Sequence, residues 1–270
     1  MHILSSLFDT FIKNRSYFVN TLFVVIGFRA NYNRSMVMDY TFRINEVFME
    51  DGFKTKVTMD PSGFVLLSDY VPSIVQEIRY FSTYNFIGDR IDCYEQPCAI
   101  ITVEAARALK TVSNELNVMG YRMKVFDCYR PAGAVRHFVM WGIEDTDIRM
   151  KEYFYPDLVK QDLFKLGYVA SQSSHSRGST IDLTLLDMKT GKEVDMGSPF
   201  DMFSEVSHPD YRGITDEQYN NRMLLQTVMV RNGFVPIDCE WWHFTLKDEP
   251  YPDTYFEFPV SADYLLKGRT

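Results

Sequence analysis

The chain has 270 residues, 46% of them hydrophobic and 24% charged, enough apolar material to bury a substantial core in one domain with or without extensions. Its net charge of −8 argues against nucleic acid, because duplex-binding surfaces carry a basic footprint. Four cysteines, Cys93, Cys98, Cys128 and Cys239, are too few for a disulfide framework and lack the CxxC spacing of structural zinc. Buried thiols are expected, with Cys93 and Cys98 able to pair only in an oxidising compartment.

Residues 1–39 read as an N-terminal extension. Lys13 and Arg15 precede an apolar run, Tyr17 to Phe28, that is faintly like a secretory signal. Asn20 and Thr21 interrupt that run, and Arg29 stands at the would-be cleavage site. The run is too short for a stable membrane span. The expectation is a cytoplasmic protein, periplasmic or exported only if residues 1–30 act as a signal.

Residues 40–270 contain no long linker, low-complexity tract or repeat and read as one domain. Thr102 to Met119 predicts a helix, with Ala105, Ala106, Leu109, Val112 and Leu116 at helical spacing and Gly120 just past its end. Tyr121 to Tyr129 predicts a strand, and Pro131 suits the first turn of a helix running to about Trp141, so Arg130 falls at a corner. In Thr180-Ile181-Asp182-Leu183-Thr184-Leu185, apolar and polar residues alternate as in a half-buried strand, with Asp182 on the side away from the core. Thr215-Asp216-Glu217-Gln218 is a capping-box pattern that opens a helix ending near Asn232, with Gly233 beyond.

His175, in Ser173-Ser174-His175-Ser176-Arg177-Gly178, can complete a metal pattern with Asp182 and with Glu240-Trp241-Trp242-His243. A hydrolytic zinc keeps three protein ligands and leaves a fourth position for water. His175, Asp182 and His243 meet that requirement, and Glu240 is the carboxylate left to move protons. Gly178 would let the chain bend so that His175 turns back toward Asp182. Residues 240 and 243 fall on opposite faces of a regular strand, so a bulge or a strand end is expected there. His2, His137 and His208 read as structural or solvated. Taken singly, each candidate has the same bland reading, and the case rests on their joint pattern.

Across roughly residues 80 to 260 the chain resembles the D-alanyl-D-alanine dipeptidase family of the vancomycin-resistance type, zinc peptidases related to D-Ala-D-Ala carboxypeptidases and the Hedgehog amino-terminal domain. The resemblance is carried by Asn85-Phe86-Ile87-Gly88 with Tyr94, Asp127-Cys128-Tyr129-Arg130-Pro131, Ser173 to Leu185, Met196 to Asp201, Glu240 to Phe244, Asp248 to Pro252 and Phe256 to Val260. It implies an α+β fold with a small, largely antiparallel sheet flanked by helices. It further implies one zinc ion on His175, Asp182 and His243, with Glu240 as general base and acid. Arg130 would steady the tetrahedral intermediate, and Asp201 and Ser173 would hold the amino end of a small D,D-dipeptide substrate. Two alternatives stay open: a zinc DD-carboxypeptidase acting on longer peptidoglycan peptides, and a non-catalytic zinc-binding module. Thr180, Cys128 and Cys239 depart from the family's usual residues without removing a catalytic group.

Overall fold

In the computed structural model the described residues are 56–144 and 146–267, so the expectations for residues 1–39 lie outside them. The strands are β1 (Lys56–Thr58), β2 (Phe64–Leu66), β3 (Val75–Gln76), β4 (Ile100–Thr102), β5 (Tyr121–Asp127), β6 (Thr180–Asp187), β7 (Phe234–Pro236), β8 (His243–Leu246) and β9 (Thr254–Phe256). Among the described residues the three long helices are α1 (Val103–Val118), α2 (Ala132–Ile143) and α3 (Asp216–Arg231). Five strands form one sheet in the order β3-β5-β6-β8-β7, antiparallel except for the β3/β5 pair. The short β1/β9 and β2/β4 pairs stand apart from it. The architecture is therefore α+β, with a largely antiparallel sheet and flanking helices.

The helix boundaries follow local chemistry. Thr102 caps α1 by accepting from the Ala105 N–H, and Gly120, at φ +89°, turns the chain out of it. Ala105, Ala106, Leu109, Val112 and Leu116 are buried, and α1 packs on β5. The capping box of α3 forms in full: Thr215 accepts from Gln218 N while Gln218 Oε1 accepts from Thr215 N. Pro131 is the residue before α2 rather than its first member, which still uses its fixed φ to start the helix.

β6 departs from the half-buried pattern. Ile181, Leu183 and Leu185 face the core, but Thr180, Asp182 and Thr184 are buried as well, because the central strand is covered on both faces. The polar face is thus an enclosed polar interior. No helix of the described residues is long and apolar enough to cross a membrane.

Gly178 lies between the site and the core. It has φ +85° and ends the single 3₁₀ turn Ser174–Arg177. A Cβ there would overlap the Phe64 ring. Gly178→Ala should therefore lower the unfolding free energy by about 2–5 kcal/mol, combining a left-handed backbone penalty with overpacking. Denaturant titration of the variant against the unmodified protein measures this directly.

Candidate metal centre and active-site cleft

The site grows from one row of residues across the sheet. β6 sets Asp182 opposite His243 of β8 on one side and opposite Asp127 of β5 on the other. Val125 already faces Leu183, so a regular β5 would bring Phe126, not Asp127, against Asp182. The register shifts by one residue between Val125 and Asp127, and this bulge re-aims the aspartate into the row.

His175 reaches the row from the 3₁₀ turn ahead of β6. Its Nε2 lies 3.2 Å from Asp182 Oδ2 and 3.3 Å from His243 Nδ1, and His243 Nδ1 lies 3.1 Å from Asp182 Oδ1. Candidate ligand atoms of all three residues fall within 4.8 Å of one another. Neighbouring groups select the nitrogen each ring offers. His175 Nδ1 donates to the Cys128 carbonyl at 2.6 Å, which leaves the Nε2 lone pair facing the cluster. His243 Nε2 sits 3.3 Å from Ser174 Oγ, which leaves Nδ1 for the same purpose.

Asp182 tests whether this set fits a metal ion. Its Oδ1 is fully buried and, apart from the approach of the His243 ring, has no hydrogen-bond partner among the described residues, a costly state for a carboxylate oxygen. Two imidazole nitrogens and that oxygen converge with nothing else to satisfy them, a donor set that a divalent cation completes. Burial alone would raise the Asp182 carboxyl, yet the His175 and His243 rings hold it well below the usual carboxylate range.

Glu240 precedes β8, whose first residue is His243, so the expected strand end is present. The turn is pinned by Trp241 N donating to Ser207 O at 3.0 Å and by Leu183 N donating to Trp242 O at 3.1 Å. Glu240 Oε2 stands 3.5 Å from His243 Nδ1. Burial pushes its carboxyl up to about 8, against the pull of the His243 ring.

Arg130 leaves the corner after β5 and enters the site, so a surface salt bridge does not describe it. Its Nε donates to Asp127 Oδ2 at 2.9 Å, its Nη2 lies 3.6 Å from Asp182 Oδ2, and its guanidinium stacks 4.8 Å from the Tyr80 ring centroid and 5.1 Å from that of Phe138. Asp201 is buried at φ +63°, a left-handed conformation that aspartate tolerates better than most residues. Tyr80 donates its hydroxyl to Asp201 Oδ2 at 3.1 Å. Burial, and then the charge of Asp182, pushes the Asp201 carboxyl up to about 8. Ser173 Oγ accepts from His175 N at 3.3 Å. All seven candidates, Arg130, Ser173, His175, Asp182, Asp201, Glu240 and His243, line one cleft of about 210 Å³.

Asp127 and Tyr80 had no role in the reading of the sequence beyond Asp127's place in a motif. Asp127 is fully buried, accepts from Tyr94 at 2.6 Å and from Arg130 at 2.9 Å, and lies 3.6 Å from His175 Nδ1. Only its position three residues before Arg130 hinted at this, and three-residue spacings are common. His137 and His208 take local roles: His137 Nδ1 accepts from Asp92 N at 3.1 Å, and His208 Nε2 lies 3.0 Å from the Tyr168 hydroxyl.

A peptidase family described as D-ala-D-ala dipeptidase matches residues 60–261, from just before β2 to the end of the last motif. The chain belongs to this family. A D-alanyl-D-alanine dipeptidase of Enterococcus faecalis is 43% identical over 74% of this chain and 99% of its own length. Similar proteins of the same name occur in Enterococcus faecium, 40% identical over 73% of this chain and 98% of the relative, and in Escherichia coli, 32% identical over 77% and 90%. Like the rest of this metallopeptidase family, the chain is a peptidase, and its His-Asp-His cluster could hold a metal.

Proposed function

We propose that the protein hydrolyses the dipeptide D-Ala-D-Ala to free D-alanine, using one zinc ion held by His175, Asp182 and His243. The observation that carries this reading is a further buried carboxylate, Asp201, in the same small cleft as Glu240 and the metal cluster. A substrate whose ammonium pairs with Asp201 while its only peptide bond reaches the cluster is very short. The relatives' names specify such a dipeptide.

Bound zinc would polarise the scissile carbonyl and acidify a water at an open fourth position. Glu240 takes the proton of the attacking water and passes it to the leaving amine. Its raised affinity for a proton suits a group that must hold one between the two steps. Arg130 stays charged throughout and turns N–H donors toward the developing oxyanion, steered by Asp127. Asp201 and Ser173 hold the amino end. An ammonium beside Asp201 favours its charged form, against the burial that raises it.

Purified protein supplied with zinc should release D-alanine from D-Ala-D-Ala and leave N-acylated stem peptides intact. Cleavage of the acylated peptides with no action on the dipeptide would instead identify a DD-carboxypeptidase. His175→Ala and Asp182→Asn should each lose at least 10-fold in zinc affinity, read by competition with a chromogenic chelator, since each removes a direct ligand.

A further inference from the structure

We propose that Gln172 is the specificity-determining donor for the substrate's free carboxylate, holding the end of the dipeptide opposite to the ammonium. This rests on the D-Ala-D-Ala reading and assigns the other half of substrate recognition.

The cleft is rich in acceptors and poor in donors. Asp182, Asp201 and Glu240 all line it, and an anionic carboxylate entering this space needs N–H or O–H groups turned toward it. Most of the lining donors are engaged. Arg130 is bonded to Asp127 and its remaining donors are assigned to the oxyanion, Ser173 is assigned to the amino end, Tyr80 donates to Asp201, Tyr168 is paired with His208 and Ser174 with His243. The Gln172 amide, also in the lining, keeps its Nε2 hydrogens uncommitted among the described residues.

Its orientation is fixed from behind. Tyr255, on β9, donates its hydroxyl to Gln172 Oε1 at 3.3 Å. On the far side, Arg177 stands with its guanidinium 6.0 Å from the Tyr255 ring centroid, locked by Nε to both oxygens of Glu249 at 2.9 Å and by Nη2 to Oε1 at 2.8 Å. Arg177 also hydrogen-bonds to the Tyr255 side chain, where the phenol oxygen is the acceptor, so the phenol hydrogen is left for the Gln172 amide oxygen. With the oxygen held, the NH₂ group is the part of the amide left for the cleft.

The separation also suits a dipeptide. Two extended residues span at most about 7 Å, so both ends of the substrate must be met within roughly one residue of the metal. Gln172 precedes His175 by three positions, and Ser173 and Ser174 between them already touch ligand residues. Asp201 is carried by a different wall, with Tyr80 and Phe200.

The test compares kcat/KM for D-Ala-D-Ala with kcat/KM for its C-terminal amide, which lacks the negative charge. In Gln172→Ala the ratio should fall about 10- to 100-fold, the loss expected for a hydrogen bond to a charged group. In Gln172→Glu, which keeps the shape and the acceptor for Tyr255 but replaces the donor with a like charge, it should fall further. The ratio is internal to each preparation, so incomplete folding cancels. A ratio within twofold of the unmodified protein in both variants would overturn the assignment while leaving the dipeptidase reading intact. Failure of the unmodified protein to cleave the dipeptide would overturn both.

Discussion

Glu240→Gln should lower kcat on D-Ala-D-Ala by about 10²- to 10⁴-fold, the usual contribution of a positioned general base, while zinc content stays at one per chain. The argument is geometric. Glu240 Oε2 stands 3.5 Å from a candidate ligand atom, yet the carboxylate lies outside the convergent set of His175, Asp182 and His243. Glutamine fills the same volume in the turn pinned by Trp241 and Trp242, so the fold and the metal centre persist while the proton carrier is gone. Steady-state turnover alongside metal analysis of the same preparation separates the two effects. A variant that keeps full turnover would show that another group moves the proton, and one that loses its metal would place Glu240 among the ligands.

Arg130→Ala should lower kcat by about 10²- to 10³-fold with a much smaller change in KM, as for loss of an oxyanion donor. Arg130→Lys should recover little of this. Lysine cannot reproduce the planar contact with Tyr80 and Phe138 or donate at the Nε position to Asp127 while leaving further donors for substrate. Asp127 is then a positioning residue, and a double-mutant cycle exposes the dependence. Asp127→Asn alone should reduce kcat about 10-fold, but added to Arg130→Ala it should reduce it little further, because the group it steers is absent. Additive losses would instead assign Asp127 a route to the reaction independent of Arg130, through its approach to His175.

The parts of this molecule that were legible in its sequence are those with local chemistry. The helical spacing of Ala105 to Leu116 with Gly120 beyond it, and the Thr215–Gln218 box, announced α1 and α3, and the His175, Asp182, Glu240 and His243 pattern pointed to residues that lie together in one cleft. The enclosure of Asp182 was not legible. Alternation along β6 predicts two unlike faces, but whether the polar face meets water depends on elements distant in the chain, here the turn carrying His175 and the loop carrying Trp242. Asp127 was obscured for a related reason. Period-two counting along Tyr121–Asp127 assigns it to the wrong face, because a bulge has no consistent residue signature. Strands of three residues, such as β1, β2 and β9, are too short for any period to register.

The register shift in β5 makes the site sensitive to parity. The core reads β5 through Met123 and Val125, whereas the cleft reads it through Asp127 and the arginine that follows, and a single surplus residue switches the chain from one reading to the other. Substitutions at Phe126 alter packing, whereas its removal would set Asp127 opposite Asp182 in a regular strand without the bulge and draw the Arg130 corner one residue closer to the sheet. Length at this point therefore bears on the geometry of the cleft as well as on packing. A chain shortened by one residue in β5 would be expected to keep its sheet and its His-Asp-His cluster and still displace the guanidinium proposed to meet the oxyanion.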